Sequence, residues 1–218
     1  MRSPVSLSAL ATLILLAACG GGGGGADPVR EPDLPGPATP GTGVPATTAA
    51  LRQAATGLLD VWAPAGVADY TALAAIPAAG SAAYAGYLYG DLSTDGGSAT
   101  ESLIGRLSLT ARFTADSATF SGRVSDVVDS RDDPLTGTLT VSGGSLNRAG
   151  NPASDATLRG IAVGGTLRDA DGATWDLGLR LEGDFLGNTA QALGGEALGR
   201  VTVGSTVQDF DGGFIAAK

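Results

Sequence analysis

The sequence predicts an all-β protein: an eight-stranded antiparallel up-and-down β-barrel preceded by a short helix and a disordered tether. Three observations carry this. From Ser81 onward, apolar residues recur at every second position. The alternating segments are separated by Asp-Gly and Gly-Gly, which supply the positive φ of tight hairpins. No segment between them is long enough for a crossover helix, so neighbouring strands must run antiparallel. About eight such strands suit a small closed barrel, whose interior is filled or holds one small ligand.

The chain starts with a different kind of signal. Arg2 gives a positive n-region, Leu7 to Leu16 is a short apolar run, and Leu16-Ala17-Ala18-Cys19 looks like a bacterial lipobox. The apolar run is too short to span a bilayer as a helix. Residues 1–18 are expected to be a lipoprotein signal peptide, with Cys19 as the lipidated N-terminus. An ordinary secretory signal cut after Ala18 is the alternative. Cys19 is the only cysteine and has no disulfide partner. Gly20, rather than Asp, follows it, which by resemblance to the usual sorting rule directs the chain to the outer membrane. The expected membrane contact is therefore through lipid. Residues 19–45 are rich in Gly and Pro and read as an extended, disordered tether.

Residues 46–80 are expected to form a short helical segment. Leu51, Ala55, Leu58 and Trp62 recur at helical spacing, and Pro64 lies beyond the helix end. Tyr70 to Pro77 reads as a second helical turn. The barrel follows over residues 81–218. Its clearest strand is Thr174 to Leu186, with Trp175, Leu177, Leu179, Leu181 and Phe185 on one face and Asp176, Arg180, Glu182 and Asp184 on the other. Leu103 to Thr114 repeats the design. Further strands are expected over Ala82–Tyr89, Ala118–Val127, Gly137–Ser142, Leu158–Leu167, Ala192–Val203 and Phe210–Ala216. The turns are placed at Asp95-Gly96-Gly97, Gly143-Gly144, Asp171-Gly172 and Asp211-Gly212-Gly213. The glycines inside strands, such as Gly86 and Gly122, are read as sites of sharp coiling. Alternation also fits a membrane-spanning barrel. The sparse aromatics and the absence of a terminal one favour a soluble barrel.

Composition removes much chemistry. Net charge is −9 and there is no histidine. Twelve arginines and one lysine are spread singly, which argues against nucleic acid as a partner, since phosphate binding needs clustered bases. Without histidine there is no Ser-His-Asp or Cys-His nucleophile and no His-ligated zinc or haem. No catalytic residue, metal set or cofactor is expected, and the protein is read as a non-enzyme.

Several short patterns have a simpler reading beside a functional one. Asp169-Ala170-Asp171-Gly172 and Asp209-Phe210-Asp211-Gly212 resemble fragments of calcium loops but lack the remaining ligands. Turn chemistry accounts for them. The carboxylates from Asp126 to Asp133 fit a weak cation site or a solvated turn. Glu182 and Asp184 share a strand face, as a glycosidase pair does, or simply as outward positions. Tyr84, Tyr87 and Tyr89 cluster on the first strand, with Tyr87 and Tyr89 pointing one way and Tyr84 the other. They are the candidate ligand or partner-binding residues, since tyrosine ligates haem iron or anchors interfaces. Barrel packing with a hydroxyl at the rim explains the same cluster.

Three segments carry a family resemblance. Ala79-Gly80-Ser81-Ala82-Ala83-Tyr84-Ala85-Gly86-Tyr87 resembles the start of the β-barrel domain in transferrin-binding protein B-like lipoproteins. Gly183-Asp184-Phe185-Leu186-Gly187, with Ala190 and Gly194-Gly195, is similar to their penultimate hairpin, and Asp211 to Lys218 to their closing strand. Leu186 and Ala197 stand where the family usually has aromatics. The resemblance covers about residues 81–218. It implies a transferrin-binding protein-like barrel that binds a solute or a protein partner, in iron or haem acquisition, with an iron- or haem-carrying protein or a small solute as partner. The alternatives are a structural or accessory envelope lipoprotein with a filled barrel, or a barrel-type inhibitor of an exported hydrolase.

Overall fold

The computed structural model describes residues 46–218 apart from 67, 95 and 96. The expected signal peptide, Cys19 and the tether over 19–45 lie outside the described residues. Helix α1 spans Thr48–Trp62. Thr47 caps it, accepting from the Ala50 amide at 3.3 Å, which satisfies one of the amides that a helix start leaves open. A 3-10 turn over Leu73–Ala75 follows. The strands are β1 (Gly80–Ser93), β2 (Ala99–Phe113), β3 (Ala118–Asp129), β4 (Pro134–Gly137), β5 (Leu139–Leu146), β6 (Thr157–Arg168), β7 (Thr174–Leu186), β8 (Ala192–Val203) and β9 (Thr206–Ala217).

All pairings are antiparallel, and β1 pairs with β9 to close the sheet into a ring. The ring has eight staves because β4 and β5 are two halves of one stave, each bridging β3 and β6. Gly137, with φ of 130°, stands at the break between them. The up-and-down barrel that the alternation predicts is therefore the fold found.

The inward face is apolar throughout. Leu107, Leu109, Trp175, Leu177, Leu179 and Phe185 are all buried, as the period of two requires. Outward positions on β7 are Asp176, Gly178, Arg180 and Glu182. This polarity is the reverse of a membrane-spanning barrel, whose outer band is apolar. The interior is filled. Phe185 sits among Tyr84, Phe113 and Phe120, with ring centroids 5.7–6.2 Å apart. The segment after α1 closes that end: Leu73 and Ile76 join the core, and the Thr71 amide donates to the Phe185 carbonyl at 2.8 Å. One small internal pocket, of about 10 Å³, is lined by Leu88, Val127, Leu139 and Phe210 among others.

Two of the expected turns are not turns. Asp211-Gly212-Gly213 lies inside β9, and Gly143-Gly144 inside β5. The β8–β9 turn is instead Gly204-Ser205, with Gly204 at φ of 60°. Asp171-Gly172 does form the β6–β7 turn, with Gly172 at φ of 84°. Glycine inside strands answers a different need. At Gly86 a Cβ would land on the Ile215 carbonyl oxygen of β9, so only glycine lets the two strands approach there.

A β-bulge in β3 also changes the expected pattern. Asp126 has φ of 50°, and Asp126 and Val127 together face Gly105 of β2. Beyond the bulge the alternation inverts. Val124 and Val127 both point into the core, and Val128 packs outward with α1.

Candidate functional site

Helix α1 lies on the outer wall of the barrel. Leu51 and Ala55 are buried there against Ile104, Val128, Leu186, Ala192, Ile215 and Ala217. Burying such side chains stabilises the docked helix by roughly 1.5–3 kcal/mol for each large one. Polar contacts set its direction. The Thr48 hydroxyl donates to the Asp129 carbonyl at 2.5 Å, and Arg52 donates to the Ser102 hydroxyl at 2.7 Å. At its far end Trp62 lies over Gly187.

The three candidate tyrosines divide between two environments. Tyr84 is in the barrel core, and its hydroxyl donates to the Ala190 carbonyl at 2.9 Å. Burial pushes that hydroxyl far above the usual tyrosine range. The Lys218 ammonium stands 5.7 Å from the ring centroid and donates to the Thr189 carbonyl. Burial lowers this ammonium below the ordinary lysine value. Tyr87 and Tyr89 are on the outer face, half-buried beneath α1. Burial also raises the Tyr89 hydroxyl. The structure thus brings Tyr87 and Tyr89 together on the outer wall, with Tyr84 on the opposite side of β1.

Between α1 and the wall runs a cleft of about 360 Å³. Ala55, Thr56 and Leu59 form its helical side, and Tyr89, Gly90, Ile104 and Gly212 its barrel side. Arg52, Asp91 and Asp211 supply its charge. Asp91 and Asp211 are direct cross-strand partners. Arg52 approaches Asp91 at 4.0 Å. Of these residues the sequence reading offers Tyr89 as a ligand- or partner-binding candidate, and Asp211 and Gly212 only as part of a calcium-loop-like fragment. Arg52, Asp91 and Asp211 come from elements far apart in the chain, and Arg52 and Asp91 look like ordinary exposed charges in isolation.

The carboxylate-rich hairpin between β3 and β4 is self-satisfied. Asp129 is 1% exposed and accepts from the amides of Arg131 and Asp133 at 2.8 and 2.9 Å and from the Arg131 guanidinium at 2.8 Å. Burial alone would raise the Asp129 carboxyl, but these hydrogen bonds hold it below the ordinary aspartate value. Glu101 faces it and is raised by burial and by the Asp129 charge. A guanidinium therefore occupies the place where a cation site was considered. Elsewhere Asp169 accepts from the Ala173 amide and the Trp175 indole, which is turn chemistry. Glu182 pairs with Arg180 at 3.2 Å, and Asp184 accepts from the Thr157 hydroxyl at 2.7 Å. No family model matches the chain, and no curated protein matches it.

Proposed function

We propose that the chain is a non-enzymatic outer-membrane lipoprotein that holds a small solute on the outer wall of its barrel, in the cleft beside Tyr89. One contrast carries this reading. The internal pocket beside Leu88 and Phe210 offers about 10 Å³, while the cleft under α1 offers about 360 Å³. Small-molecule sites begin near 300 Å³ and combine apolar walls with a few polar groups. Cys19 and the glycine-rich stretch after it would tether the barrel to the membrane. The resemblance to transferrin-binding protein B-like lipoproteins supports a place in nutrient capture, with iron or haem acquisition as the first setting to test.

The filled interior also favours a second reading, an accessory envelope lipoprotein with no small-molecule ligand. Thermal-shift screening of the full mature chain with haem and small solutes separates the two. The capture reading expects a raised melting temperature that is lost in Thr56→Trp, which fills the cleft from the exposed side of α1. No shift with any solute, and no partner in pull-downs, would leave the accessory reading. Anchoring is checked separately: Cys19→Ser should abolish incorporation of labelled palmitate.

A further inference from the structure

The cleft has an unusual charge arrangement for a protein wall. Asp91 and Asp211 stand directly opposite each other across β1 and β9. Like charges so placed destabilise a sheet. Arg52, the base that lines the cleft, only partly relieves this. Its guanidinium is 4.0 Å from Asp91 and donates to Ser102 at 2.7 Å. Asp211 makes no ion pair among the described residues. The cleft thus keeps two carboxylates against one guanidinium.

The neighbouring surface supplies what an organic cation needs. Tyr89 lines the same cleft, and an aromatic face attracts a cation within about 6 Å. Ile104, Ala55 and Leu59 give an apolar side. A hard divalent ion suits this poorly, because it takes six or more oxygen ligands. An anion would meet two carboxylates. With a chain charge of −9, the field around the molecule also concentrates cations.

We propose that the cleft binds a compact organic cation, a primary ammonium carried on a short apolar chain. The ammonium sits between Asp91 and Asp211, and the apolar chain lies against Ile104 and Leu59. This rests on the reading of the outer cleft as the binding site and names its ligand class. The like-charge pair is a cost that the free protein carries and that the bound cation relieves.

The test uses the full mature chain, titrated by calorimetry and amide NMR with n-butylammonium, putrescine, n-butanol and butyrate. The ammonium probes should saturate and shift the amides of Tyr89 and Gly212, while butanol and butyrate bind at least about tenfold more weakly. Asp211→Asn should weaken the ammonium probes about tenfold, as loss of a charged hydrogen-bond partner does. The same variant should melt at a higher temperature, because a repulsion is gone. Asp209→Asn, whose carboxylate pairs with Arg200 at 3.6 Å, controls for overall charge and should leave affinity within about twofold. Equal binding of butanol and butylammonium, or unchanged affinity in Asp211→Asn, overturns the cation assignment while the cleft remains the site. If none of the four probes shifts the cleft amides, the cation assignment also falls. If in addition no solute in the thermal screen depends on Thr56, the cleft itself is rejected.

Discussion

Tyr89 stands opposite Gly213 in the β1–β9 ladder, and a Cβ on Gly213 would come within 2.9 Å of the Tyr89 hydroxyl. The phenol thus lies across an outward position of β9 that has no side chain. This pairing lets the ring lie against the wall beneath α1. Adding a side chain at Gly213 should push the ring into the cleft. Gly213→Val is expected to cost about 1–3 kcal/mol in urea unfolding, as overpacking does. Tyr89 should then titrate closer to its ordinary value of 10.0, because the burial that raises it is partly lost. Ultraviolet difference titration measures this, and an unchanged titration curve would show that Gly213 does not hold the ring.

Two glycine-to-alanine changes should part sharply. At Gly86 the new methyl meets the Ile215 carbonyl oxygen of the neighbouring strand, and backbone cannot yield cheaply. Gly86→Ala is expected to cost more than about 3 kcal/mol or to prevent folding. At Gly178 nothing lies within 4 Å of the added carbon. Gly178→Ala should be neutral or stabilising by up to about 1 kcal/mol. Equal melting temperatures for the two variants would refute the close-approach account.

The docking of α1 can be read through tryptophan fluorescence. Trp175 is buried in the barrel, and Trp62 rides on α1. Leu51→Ala removes a side chain that is 0% exposed and should weaken docking by about 2–5 kcal/mol. The expected result is a red-shifted contribution from Trp62 while Trp175 keeps its buried spectrum, assigned with Trp62→Phe. A shift of both together would mean that helix and barrel unfold as one unit.

The Glu101–Asp129 pair makes stability depend on pH in a defined direction. Glu101, facing Asp129, Arg131 and Asp133, is raised above its ordinary 4.5. Its contribution is complete below that value and is lost as pH rises through the raised one. Asp129 is held below its ordinary 3.8. Its contribution is complete above that value and is lost as pH falls through the lowered one. Both are complete only between, in mildly acid solution. Glu101→Gln, which stays neutral, should match the native chain near about pH 4 and melt at a higher temperature by about pH 8. Parallel curves across that range would remove the pair as the cause.

Much of the barrel was legible because a strand's alternation is a local property. In β7 each residue's side is set by its two neighbours, so Thr174–Leu186 could be bounded from sequence. Turns were less legible. Asp171-Gly172 and Asp211-Gly212 look alike, yet one turns the chain and the other is mid-strand. Glycine permits both a positive φ and a close approach, and only the neighbouring strand decides which is needed. The bulge at Asp126 left no turn signal at all. Of the candidate site, Tyr89 was legible as a binding residue and Asp211 only as part of a calcium-loop-like fragment. Asp91 and Asp211 become a pair only when β1 meets β9.

The sequence by itself determined the all-β class, the inward face of β7 and β2, and the helix ending at Trp62. The tertiary structure decided that apolar and aromatic side chains pack the interior and that α1 covers part of the outer wall. It also decided that Tyr84 belongs to the core while Tyr89 belongs to the cleft. The physical reason is range. Alternation and helical period follow from backbone geometry over a few residues. Which apolar face covers which, and which charges face each other, depends on ring closure between the first and last strands.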